Sequence, residues 1–98
     1  MSDMPRRIIG LPWYRREDYP MIRQMMTDSH VLASTYEKWL AAAENNESVG
    51  RQAGLEILRV MIDPDEFKTW CLANGMEPNG AARTKYASEG ATNEDARA

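Results

Sequence analysis

The residues with the widest chemical range are Cys71 and His30, the one cysteine and the one histidine of this 98-residue chain. A Cys–His pair can generate a thiolate nucleophile. Cys71, however, belongs to the series Phe67, Trp70, Cys71, Asn74, spaced i, i+3, i+4, i+7, where cysteine packs as a small hydrophobe. His30 falls in the polar turn Asp28-Ser29-His30, which faces it to solvent. Asp63, Asp65 and Glu66 could offer oxygens to a hard cation. A calcium loop needs more ligands at wider spacing and a turn glycine, and the same three acids suit the first turn of a helix. The glycines at 50, 54, 75, 80 and 90 match neither a phosphate-binding loop nor a dinucleotide fingerprint, and there is no CxxC or HExxH. No catalytic residue, metal ligand or cofactor is assigned.

The segment Leu11-Pro12-Trp13-Tyr14-Arg15-Arg16 is the most unusual. Aromatics interleaved with arginines can stack on bases and neutralise phosphates. Glu17 and Asp18 follow at once, and a tryptophan beside a proline also suits a plug at one end of a small core. Trp13, Tyr14, Arg15 and Arg16 are therefore candidate interaction residues. Trp13, Trp39 and Trp70 are the candidates for lining an aromatic pocket.

The elements that must position these residues can be read in order. Residues 1–10 read as a flexible leader, with Arg7-Ile8-Ile9 as an optional short strand. A first helix starts near Glu17 or Asp18 and runs to about Thr27, because Pro20 is tolerated only in a first turn. A second begins at the capping box Ser34-x-x-Glu37, carries the stripe Tyr36, Trp39, Leu40, Ala43, weakens at Asn45, Asn46 and Gly50, and stops at Gly54. Residues 55–62, Leu-Glu-Ile-Leu-Arg-Val-Met-Ile, form the one main strand, bounded by Gly54 and Pro64. Both of its faces are largely apolar and both require cover. A third helix opens with Asp63 as N-cap and Pro64 at N1, with Ile62 against Phe67 as the hydrophobic staple, and closes at Asn74-Gly75. A fourth spans about Asn79 to Ser88 and stops at Gly90, leaving 90–98 as a disordered tail.

Composition sets the outer limits. With 43% apolar and 28% charged residues, the chain is a globular domain, assigned to residues 11–89. A net charge of −3 provides no global attraction to nucleic acid. No apolar run approaches the ~20 residues of a membrane span, and a single cysteine fits a reducing compartment, so the cytoplasm is expected.

The ordered motifs Leu-Pro-Trp-Tyr-x-x-Glu-Asp-Tyr (11–19), Thr-Tyr-Glu-Lys-Trp-Leu (35–40) and Ile-Asp-Pro-Asp-Glu-Phe-x-x-Trp-Cys (62–71) resemble a family of short bacterial proteins with no assigned function. The resemblance covers roughly residues 11–89. It implies a bacterial cytosolic source and a compact α+β unit with a solitary strand, and it carries over no site residue.

The expected fold is mostly helical α+β, in the order α-α-β-α-α. A leader strand of three residues would cover less than half of the eight-residue strand, so strand 55–62 is expected to pair with its copy across a homodimer, exposing Arg59 and Met61 as interaction residues. The expected role is a small, non-enzymatic interaction or accessory protein, with room for an unidentified protein partner and no membrane or cofactor. Two alternatives stand beside it: a small-molecule-binding protein or minor enzyme with an aromatic pocket, and a weak nucleic-acid binder using the N-terminal Arg/Trp/Tyr segment.

Overall fold

A parallel pair of strands needs a long crossover between them, and two helices supply it here. In the computed structural model, which describes residues 7–97 and side chains as far as Asn93, strand β1 (Ile8–Trp13) leads through helices α1 (Tyr19–Met25) and α2 (Tyr36–Gln52) to strand β2 (Glu56–Met61). Helices α3 (Pro64–Ala73) and α4 (Gly80–Arg97) complete the chain. The described residues thus form a mostly helical α+β domain with a two-stranded sheet.

The sheet corrects the expectation of a solitary strand. β1 is six residues long and runs parallel to β2, from Ile8 opposite Glu56 to Trp13 opposite Met61. It covers the whole of one β2 edge within the same chain. Residues 8–10, assigned to a flexible leader, begin this strand, while residues 1–6 lie outside those described. Pro12 is compatible with it because its nitrogen lies on the outer side of the pair, where no ladder donor is needed.

Each sheet face is covered by one long helix. On the first, Trp13 stacks edge-on with Trp39 of α2 at 5.2 Å, and α2 comes so close to Ile57 that a Cβ on Gly50 would lie 2.8 Å from its Cδ1. On the second, α4 presses on Gly10 and Val60. A Cβ at Gly10 would lie 2.1 Å from the Ala87 carbonyl oxygen, and one at Gly90 would lie 2.6 Å from Val60. Gly90 was expected to stop the helix and open a disordered tail. Instead α4 continues through it to Arg97, because Ala87, Gly90 and Ala91 form a face of small residues that lets the helix approach the sheet. Ala98 lies outside the described residues.

The helix starts follow their chemistry closely. Asp63 caps α3, its Oδ1 accepting from the Glu66 N–H at 3.0 Å, with Pro64 at N1 and Ile62 and Phe67 both fully buried. At α2 the cap is Thr35, not Ser34: its hydroxyl accepts from the Lys38 N–H at 3.2 Å. Glu37, expected to complete a box with Ser34, pairs with Arg16 instead. α1 is shorter than expected, preceded by one turn of 3-10 helix at Arg16–Asp18. Gly54 and Gly75 take the left-handed conformation that ends α2 and α3, with φ of 88° and 63°.

Candidate functional site

Register decides which backbone groups of the sheet remain available. Glu56 donates to the Arg7 carbonyl and Ile62 to the Trp13 carbonyl, so the even-numbered residues of β2 turn their N–H and C=O groups toward β1. Ile57, Arg59 and Met61 turn theirs the other way, and among the described residues no hydrogen bond reaches those outward groups. The outer edge of β1 is blunted by Pro12, which has no N–H to offer there. The outer edge of β2 carries no such device.

Three of the six candidate interaction residues meet beside that edge. Trp13 and Met61 are register partners, and the Arg59 guanidinium lies 3.9 Å from the centre of the Trp13 ring. Met61 is 46% exposed. Arg59 is fixed from the α2 side: its Nε and Nη2 donate to the two carboxylate oxygens of Glu47 at 2.7 and 2.8 Å. Glu47 is nearly buried, and its hydrogen bonds from Arg59 hold its carboxyl below the usual range. A shallow cavity of about 160 Å³ opens nearby, lined by Leu11, Pro12, Trp13, Trp39, Ala42 and Asn46 among others.

The remaining three candidates are dispersed. Tyr14 is 2% exposed, and burial pushes its hydroxyl up to about 12. Trp13 is likewise buried. Both rings belong to a core cluster with Tyr19, Tyr36 and Trp39, so neither face is presented to a base. Arg15 is exposed but pairs with Asp18 at 2.7 Å and Asp63 at 3.2 Å, and Arg16 pairs with Glu37 while lying over the Tyr36 ring. The aromatic-arginine strip expected for nucleic-acid binding is therefore split between core and ion pairs.

Elsewhere the structure separates what chemistry would need together. Cys71 is buried on the apolar face of α3 and its thiol is pushed up by desolvation, whereas His30 is exposed. Asp63 is occupied with the α3 cap and Arg15. Asp28, at the end of the α1 turn, accepts from the Arg83 guanidinium at 2.9 Å and from the Gly80 N–H at 2.9 Å, tying the start of α4 to the turn after α1.

Trp70 does not join Trp13 and Trp39 in one pocket. Its ring partners are Phe67 and Tyr86, and with Val60, Tyr86, Glu89, Gly90 and Asn93 it lines a separate cleft of about 180 Å³ between α3, α4 and β2. Burial, followed by the charges of Glu66 and Asp63, raises the Tyr86 hydroxyl. Glu89 and Asn93 were missed by sequence reasoning. The signal is in the spacing: Tyr86, Glu89, Gly90 and Asn93 fall at i, i+3, i+4, i+7 on one helix, which a glycine stop at position 90 breaks off.

No helix among the described residues is long and apolar enough to cross a membrane. No family model, curated protein or solved structure matches this chain.

Proposed function

We propose that this chain is a small, non-enzymatic interaction protein that acts as a homodimer through the outer edge of β2. The observation that carries the reading is the outward set of backbone groups on Ile57, Arg59 and Met61, which meet no partner among the described residues while the opposite edge is laddered by β1. An exposed strand edge recruits another strand because each added hydrogen bond replaces a solvated backbone group in a repeating, self-complementary pattern. In an antiparallel pair about a two-fold axis beside Arg59, Ile57 of one copy lies opposite Met61 of the other. The salt bridge from Glu47 neutralises Arg59, which limits repulsion between the two arginines at the axis. The single cysteine and the resemblance to short bacterial proteins support action in a bacterial cytoplasm.

Light scattering on the native chain and on Met61→Pro tests the reading. The Met61 N–H lies outside the intrachain ladder and strand geometry is compatible with proline at such a position, so the fold is retained. The native chain is expected at twice the monomer mass, and Met61→Pro at the monomer mass with an unchanged circular dichroism spectrum. A native chain that is monomeric at micromolar concentration overturns the proposal.

A further inference from the structure

The cleft beside Trp70 has walls of a particular kind. Trp70 and Tyr86 stand at 87° to each other with ring centroids 5.4 Å apart, forming two perpendicular aromatic surfaces. Phe67 backs both: it is nearly parallel to Trp70, at 13°, and edge-on to Tyr86, at 88°. The rings are thereby held in place without help from a ligand. Val60, Gly90 and Asn93 complete the lining. The volume of about 180 Å³ is ample for a compact group, since cavities of about 150 Å³ hold a benzene-sized guest.

The charge at this site is negative. The Glu89 carboxylate lines the cleft and accepts from the Trp70 indole N–H at 3.3 Å, which fixes it beside the ring. Glu66 and Asp63 act on the Tyr86 hydroxyl from the α3 side. Among the residues whose side chains are described, no lysine or arginine lines the cleft. Aromatic faces attract cations through the ring quadrupole, and a fixed carboxylate adds to that attraction. A primary ammonium is compact and strongly hydrated, so entering an aromatic site costs it more than it costs an alkylated cation.

The geometry points to a binding site for a small quaternary ammonium group, with Trp70 and Tyr86 as its ring walls and Glu89 as its counter-ion. The site is formed within one chain and does not depend on the proposed dimer.

Choline and its uncharged carbon analogue 3,3-dimethylbutanol separate cation recognition from simple burial of methyl groups. The readout is the Trp70 indole N–H resonance in a nitrogen-15 labelled sample of the full chain. Choline is expected to shift it saturably, at a concentration about tenfold lower than the neutral analogue requires. Glu89→Gln, a change at an exposed position, is expected to weaken the choline response several-fold while the melting midpoint holds. Met61→Pro is expected to leave the choline response unchanged, so failure of this site and failure of the dimer are told apart. Co-sedimentation with phosphatidylcholine vesicles would assign the group to a lipid headgroup, and a choline response without it to a soluble ligand. Equal responses to choline and the neutral analogue, no response to either, or indifference to Glu89→Gln each overturns the proposal.

Discussion

Arg83 is a cation with a 9% exposed side chain, and burying it is tolerable because Asp28 meets two of its guanidinium nitrogens. The guanidinium in turn holds the Asp28 carboxyl below its ordinary value of 3.8. The folded chain therefore binds this proton more weakly than the unfolded chain does. The resulting stabilisation is complete above about pH 4 and is lost as the pH falls through the lower, folded value. Asp28→Asn is expected to cost about 2 kcal/mol at neutral pH and to flatten the acid limb of the stability curve, measured by urea unfolding across that range. The same pairing logic accounts for Arg59 with Glu47. It also explains why Arg15 and Arg16, the candidate interaction residues of the N-terminal segment, are engaged with Asp18, Asp63 and Glu37. Arg15 with Asp18 is a local i,i+3 pair, but Arg15 with Asp63, Arg16 with Glu37, Arg59 with Glu47 and Arg83 with Asp28 join residues 12 or more apart, and such partners leave no local pattern.

Helix ends were legible because capping is local. Asp63, Pro64 and Glu66 take the positions their chemistry requires, and Asp63→Ala is expected to lower stability by about 1 kcal/mol in thermal unfolding. The glycines were harder to read, because one residue type answers two different demands. Gly54 and Gly75 supply positive φ, as expected of helix stops. Gly10, Gly50 and Gly90 instead allow close approach of helix to strand. Gly10→Ala is expected to displace α4 and cost about 1–3 kcal/mol, read as a lowered urea midpoint, because its Cβ would be driven into the fixed Ala87 carbonyl. A helix stop at Gly90 would leave Asn93 outside α4, and only the close packing of Gly90 on Val60 shows that Tyr86, Glu89 and Asn93 share one helical face.

At the scale of the molecule, the sheet is the smallest possible, two strands held between α2 and α4. Among the described residues, that arrangement covers both apolar faces of β2 but ladders only one of its edges. If the other edge is completed by a second copy, stability becomes linked to association by mass action. The melting midpoint of the native chain is then expected to rise with protein concentration, and that of Met61→Pro to stay constant, in calorimetric scans over a hundredfold range.

The sequence by itself determined the start of α3, which residues of 55–62 share a face, that this segment is extended, and that Phe67, Cys71 and Ile62 are inside. These follow from spacing and capping, which act over a few residues. Only the tertiary structure decided that Ile8–Trp13 is the partner strand, that Trp13 and Tyr14 belong to the core, and that Trp70 faces Tyr86 across a cleft instead of joining the other tryptophans. Those outcomes depend on register and on how closely helices approach a sheet, and such contacts join segments tens of residues apart in the chain.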